Sequence, residues 1–533
     1  MSAADAEARL QLLLTEADEH LPTLADGLDE GALDHAPRPD LAVGHIRGGL
    51  EAPGADPNDL AAQRWAVVAP AGERGDAMLA AIDALVQHRR GQQGATPTIY
   101  RVGPAMDGAA ATSWRDDVHR AEHVPEDQRP RYLLLLGDLH EVSLELQQVL
   151  AGGAFVGRLH CAELAGLRSY AEKVVASELA DAALRARPVF YTADDGSSAV
   201  EFGRGKLIDP LLTQTREWSR SGRLAADDAL EVPPADGRSA ELLDAAAAPH
   251  AVLLSLAHGL GAPRRGWTSA EQRARQGNLF LGDDELGAAD VRDRAFLPGG
   301  VWMSTACFSA GTPSTSAFAP WLASLDPDRG VTHLLRSLPR PDDPPFLAAL
   351  PQAALANPRG PLAFVGHIDL AWSFGYLDPA SDASRASRVF ASLRVLLDGG
   401  RAGVALDALM RIYRDTNDDL TARYHRQRQA AARGAPDPED PRQLGRLWMQ
   451  RNDLRGYVLL GDPAVRLALP QPTRRAPPVA VDARAADPER AVLALLHGDE
   501  APRAIATRFG ITVAELFVWL DSYRDAGRRG LDP

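Results

Sequence analysis

The chain has 533 residues, with 57 Lys and Arg against 72 Asp and Glu, for a formal net charge of −15. That acidity excludes broad attraction to nucleic acid or to anionic membrane surfaces, which carry the same sign of charge. Two cysteines, Cys161 and Cys307, exclude a disulfide framework and suit a reducing compartment.

A hydrophobic content of 45% and a charged content of 24% are those of a globular protein. The first 21 residues are acidic with only a short apolar run, and no stretch approaches the ~20 apolar residues of a membrane span. A cytoplasmic location and no membrane association are therefore expected. Lys occurs only at 173 and 206, an Arg bias that suggests a GC-rich bacterial genome. No cofactor is expected.

In chain order, residues 1–60 predict a short helix over 7–16 and then an irregular Pro/Gly/Asp-rich arm. A first α/β subdomain spans 61–185. Its apolar runs at 64–70, 97–102, 132–138 and 155–159 predict strands, and helices are expected at 75–89 and 162–184. A second, catalytic α/β subdomain spans 186–469. Strands are expected at 189–192, 251–259, 300–307, 361–368 and near 457–469, and helices at 384–397 and 405–428. The strand runs lack alternation, as in parallel sheets covered on both faces. The expected fold class is thus α/β, with doubly wound, mostly parallel sheets flanked by helices. Residues 470–485 read as a linker, and 486–533 as a small all-α module.

Two of the buried runs carry chemistry. Ala251 to Gly259 ends in His258-Gly259, and Gly300 to Gly311 delivers Cys307 at its exit. Parallel sheets present reactive groups at the carboxyl ends of their strands, so Cys307 and His258 are candidates for a nucleophile and its base. A structural buried cysteine is the plain alternative.

Cys307 follows His258 by 49 residues, a caspase-like spacing, and Thr305-Ala306-Cys307 stands where caspases have Gln-Ala-Cys. The chain resembles the caspase-like clan of cysteine peptidases, and within it the gingipain-like branch. The likeness runs through Leu136-Gly137-Asp138, Gly157-Arg158-Leu159, the strand ending near Trp372, and Leu460-Gly461-Asp462-Pro463, covering roughly 64–469. Phe308-Ser309 after the cysteine departs from the caspase pattern and sets the chain apart from Asp selectivity. The resemblance implies two adjoining caspase-like subdomains and a protein substrate cut by an endopeptidase. It implies an oxyanion hole from the backbone N–H groups of Gly259 and Cys307. It also implies a substrate pocket drawing on Glu145, with Asp138 as competitor, Trp372 and Thr305. An acid beside an indole suits Arg or Lys at P1. Arg264, Arg265, Arg426, Arg428 and Arg433 would then be self-cleavage candidates.

Cys161 follows His160, but no zinc spacing surrounds it, so it reads as a small packed residue and no metal is expected. Residues 503–526 resemble a helix-turn-helix, with Gly510 in the turn and Trp519 and Tyr523 on the second helix. From 487 to 533 six Arg face eight acids, a poor balance for phosphate binding. DNA is therefore not the expected partner, and a protein partner through 486–533 is. The alternative readings are a catalytically silent caspase-like scaffold and a DNA-associated regulator.

Overall fold

The computed structural model describes residues 9–36, 56–104, 106–181, 185–233, 239–325, 334–340, 343–377, 383–470, 488–497, 501–509, 511–513, 515–520 and 523. The chain divides into two compact units, Met1–Pro470 and Gln471–Pro533.

In the first unit, the apolar runs become strands because their side chains can be covered on both faces. Every residue from Tyr132 to Leu136 is fully buried, as are Val252 and Leu253. In chain order the strands of the two larger sheets are β1 (Leu14–Glu16), β2 (Trp65–Pro70), β3 (Thr98–Val102), β4 (Tyr132–Leu136), β5 (Phe155–Leu159), β6 (Arg187–Thr192) and β7 (Leu230–Val232). Then follow β8 (Ala251–Leu256), β9 (His258–Gly261), β10 (Leu279–Phe280), β11 (Glu285–Leu286), β12 (Val301–Thr305), β13 (Ala363–His367) and β14 (Tyr457–Gly461). Ten of them form one sheet in the order β3-β2-β4-β5-β14-β13-β12-β8-β6-β7. The first run of α/β units supplies four adjacent strands and the second run the other six. They adjoin where Leu460 of β14 meets Arg158 of β5. β8 runs parallel to both β6 and β12, and β13 is antiparallel to β14. The architecture is the expected α/β class, with helices such as Leu164–Leu179 and Ala402–Ala432 flanking the sheet.

A buried charge cluster ties the two runs together. Asp462, just past β14, accepts from the Trp65 indole at 2.9 Å and from Arg89 Nε at 2.7 Å. Arg89 also bonds both oxygens of Glu178, at 2.7 and 2.8 Å. Burial pushes the Glu178 carboxyl up, but the Arg89 charge and the His88 and Arg89 hydrogen bonds hold it well below the usual range. Removing one partner would leave an uncompensated buried charge, at a cost of about 3–5 kcal/mol.

The N-terminal arm departs from its expected form. The segment over 7–16 does not form the predicted helix: Arg9–Leu10 and Leu14–Glu16 are extended strands. Leu10, Leu12, Leu13 and Leu14 are all buried. A helix over 7–16 would leave the N–H groups of its first turn and the C=O groups of its last without partners, whereas here that backbone bonds to residues 28–29, 259–261 and 371–373. Tertiary hydrogen bonds override a local helix preference.

The second unit has helices Pro488–His497 and Pro502–Phe509 around a small core of Ala491, Ile505, Ala506 and Leu516. Trp519 packs against that core. Gly510 and most of 470–485 lie outside the described residues.

Candidate active site

β8 and β12 are neighbours in parallel register, with Leu256 opposite Thr305. His258 and Cys307 each lie two residues beyond that pair, so the two strands deliver them side by side. The register is held at its end by the Thr305 hydroxyl, which donates to Ser255 O at 2.9 Å. Gly259 shows how tightly the two segments meet. A Cβ there would sit 1.9 Å from the Cys307 carbonyl oxygen, so only glycine fits. On the other side of the thiol, Phe308 holds a left-handed φ of 55°, an uncommon conformation for a bulky residue and one that turns the chain sharply after Cys307.

The histidine is oriented by a third group. β6 borders β8 on its far side, with Thr192 opposite Leu256, and three residues later Asp195 approaches His258 Nδ1 at 2.5 Å. Both side chains are fully buried. The other Asp195 oxygen accepts from Ser197 N at 2.9 Å. Burial pushes the Asp195 carboxyl up, but the His258 hydrogen bond and charge and the Ser197 bonds outweigh it and hold it below the usual range. A carboxylate on Nδ1 places the proton there and leaves Nε2 available. Nε2 is buried and makes no hydrogen bond among the described residues.

The two backbone N–H groups converge. Gly259 N donates to the Leu13 carbonyl oxygen at 3.0 Å and Cys307 N donates to that same oxygen at 3.2 Å. They form a pocket for a carbonyl oxygen, which Leu13 of the N-terminal arm fills. Cys307 is fully buried, and its sulfur accepts from Ala371 N at 3.1 Å. Burial pushes the thiol well up, against the pull of the Ala371 hydrogen bond. Beneath the arm the thiol is therefore neutral. A neutral thiol is a weak nucleophile, and losing its proton to a base or regaining contact with water would raise its reactivity.

The other sequence candidates are dispersed. β4, which leads to Asp138, is separated from β12 by β5, β14 and β13. At ~4.8 Å per strand that is roughly 19 Å across the sheet. The Asp138 carboxylate accepts from Leu139 N and from Leu347 N, each at 2.8 Å, and the side chains of His140, His160 and Arg273 lie within 4.0 Å of it. Glu145 sits in the first turn of the helix Leu144–Ala151, behind the Ser143 cap. That segment wraps buried Arg158, which bonds Gln147 Oε1 and the carbonyls of Gly137, Asp138 and Ser143. Neither acid is brought to Cys307. Trp372 does come close, because it follows Ala371. Its ring packs on Phe318 and Trp321, with centroids at 5.8 and 5.5 Å, and the Trp372 backbone N–H donates to Asp453 Oδ1 at 2.7 Å. His367 is an interior histidine whose Nε2 bonds Asp453 O at 2.8 Å; burial, against two backbone hydrogen bonds, pushes it down to about 4. Cys161 packs beside Gly166 and Ala356, and burial pushes its thiol up to about 12. Among the described residues no cluster of His, Cys, Asp or Glu is arranged to hold a metal.

Sequence reasoning missed Asp195, Ala371 and Leu13. The signal for Asp195 was present: an acid pair, Asp194-Asp195, at the exit of the strand beside that of His258. Leu13 and Ala371 act through backbone atoms, which no side-chain pattern marks.

The fold and site define an α/β chain in which a Cys, a His and an Asp converge at the exits of three adjacent parallel strands. No described protein family matches the sequence, and no curated protein matches it. Among solved structures, the chain is similar to the Arg-specific cysteine proteinase gingipain R, with a TM-score of 0.44, 14% identity, and coverage of 76% of this chain and 78% of that one. It is similar to a structure described as a protease, with a TM-score of 0.44, 12% identity and coverage of 79% and 80%. It is similar too to a complex of the Porphyromonas gingivalis RgpB pro- and mature domains, with a TM-score of 0.43, 13% identity and coverage of 76% and 79%.

Proposed function

We propose that the chain is a cysteine endopeptidase acting on protein substrates, with Cys307 as nucleophile, His258 as general base and acid, and Asp195 as the positioning residue for His258. One observation carries the reading: the N–H groups of Gly259 and Cys307 converge on a single peptide carbonyl oxygen, between a thiol and an Asp-held imidazole. In the reaction the Cys307 proton passes to His258 Nε2, and the sulfur adds to the substrate carbonyl carbon. The developing oxyanion takes the two N–H bonds. His258 then protonates the leaving amine, and water hydrolyses the thioester. Glu145 and Asp138 stand strands away, so neither is positioned to hold a basic substrate side chain beside this thiol. The acidic 486–533 module serves as a protein-recruitment element in this proposal.

The test is the pair Cys307→Ala and Cys161→Ala. The first abolishes hydrolysis of a denatured protein and active-site labelling by a thiol alkylator in a chain that still unfolds cooperatively. The second leaves turnover near wild type. Activity surviving in Cys307→Ala sinks the reading.

A further inference from the structure

The arm crosses the cleft as a bound peptide would. Leu12 bridges Trp372 in antiparallel fashion. Leu13 N donates to Ala371 O at 3.2 Å, and Ser373 N donates to Gln11 O at 3.1 Å. The Gln11 side chain accepts from Ser198 Oγ at 3.1 Å. The Leu13 carbonyl oxygen occupies the N–H pocket, and beyond it Leu14 to Glu16 continue in parallel pairing with Gly259 to Gly261. So the backbone is held on both sides of the Leu13–Leu14 peptide bond. An edge segment that captures an extended peptide takes its affinity from such main-chain bonds and its selectivity from alternate side-chain pockets. The Leu13 side chain is fully buried within the apolar core.

We propose that the cleft recognises an extended apolar segment with leucine at the position before the cut, and that the chain's own Leu13–Leu14 bond is its first substrate. This rests on the endopeptidase reading above. The tethered arm fills the cleft, which is why Cys307 and His258 are wholly covered. Cleavage runs as follows. The Cys307 sulfur bonds to the Leu13 carbonyl carbon as its proton goes to His258. The carbon–nitrogen bond to Leu14 breaks, and His258 returns the proton to the Leu14 amine. Water then splits the thioester, giving a Leu13 carboxylate and free Cys307. The new N-terminus at Leu14 stays held by β9 pairing, while residues up to Leu13 keep the bonds to 371–373 and Ser198 and the short antiparallel pairing of Arg9–Leu10 with Leu28–Asp29. Their loss opens the cleft to other peptides.

The experiment uses the full chain. Freshly purified wild type, Cys307→Ala, Leu13→Met, Leu13→Arg and Leu13→Asp are incubated, and intact-mass and N-terminal analysis follow the cut. The same preparations are given fluorogenic Gln-Leu-Leu, Gln-Leu-Arg and Gln-Leu-Asp amides. Wild type and Leu13→Met acquire a Cys307-dependent N-terminus at residue 14. Leu13→Arg and Leu13→Asp slow that cut by about 100-fold or more, because an unpaired charge would enter an apolar pocket. The leucine peptide is hydrolysed at least about 100-fold faster than the other two by the same argument. An active enzyme that keeps residue 13 joined to 14, or that prefers the Arg or Asp peptide, overturns the proposal and leaves the peptidase reading standing. Absence of any Cys307-dependent hydrolysis, of peptide, protein or arm, overturns both.

Discussion

Asp195→Asn isolates the positioning of His258. The substitution keeps the shape of the side chain and one oxygen but removes the charge that faces Nδ1 at 2.5 Å. Both partners are fully buried, so solvent screens the pair little. In the proposed reaction His258 accepts the thiol proton, and the resulting imidazolium is a buried charge whose hydrogen-bond partner among the described residues is Asp195. An uncompensated buried charge costs about 3–5 kcal/mol. At about 1.4 kcal/mol per decade, that slows turnover roughly 10²- to 10⁴-fold. The amide can also present N–H toward Nδ1 and favour the wrong tautomer, which acts in the same direction. The assay is steady-state hydrolysis of a peptide that the wild type cuts in a Cys307-dependent manner, with thermal melting as the control for folding. The exposed neighbour Asp194 supplies the matched control: Asp194→Asn leaves kcat/KM near wild type. A kcat/KM for Asp195→Asn within about threefold of wild type, in a folded protein, would refute the reasoning.

Two further predictions follow from packing and charge. Gly259→Ala places a Cβ 1.9 Å from the Cys307 carbonyl oxygen, so the backbone around His258 and Cys307 must move. The expected result is loss of peptidase activity with a stability cost on the order of 2–4 kcal/mol, and an unchanged urea midpoint with full activity contradicts it. Asp453 tests the pH dependence. Burial and the Asp369 charge, against the Trp372 N–H bond, push its carboxyl up to about 8 from an ordinary 3.8. The folded state then holds a proton that the unfolded chain releases between about pH 4 and 8, so this group's contribution to stability falls as pH rises through that window. The slope is up to about 1.4 kcal/mol per pH unit. Asp453→Asn keeps an oxygen for Trp372 N and flattens the decline in denaturant titrations across that range. Parallel curves for variant and wild type would show that the buried carboxyl is already ionised in the fold.

Much of the scaffold was legible because a parallel strand covered on both faces reads as an unbroken apolar run. Tyr132–Leu136, Ala251–Leu256 and Val301–Thr305 could be placed from their residues alone. Their polar exits follow from the same pattern, which is how His258 and Cys307 came to be paired. The resemblance suggested Glu145 and Asp138 as pocket acids, but their surroundings in the fold were not legible from the chain. Asp138 is engaged with Leu347, and the segment carrying Glu145 encloses Arg158.

The sequence by itself determined which segments become buried strands, where they end, and which side chains stand at those ends. That information is local, since hydrophobic runs and glycine punctuation act within a few residues. Tertiary structure alone decided that β8 and β12 are neighbours in register, that Asp195 reaches His258, and that the leucines of the arm run as a strand through the cleft. Those outcomes depend on backbone groups far apart in the chain competing for the same hydrogen bonds. A carbonyl such as that of Leu13 carries no mark in the sequence until the N–H groups of Gly259 and Cys307 meet it in space.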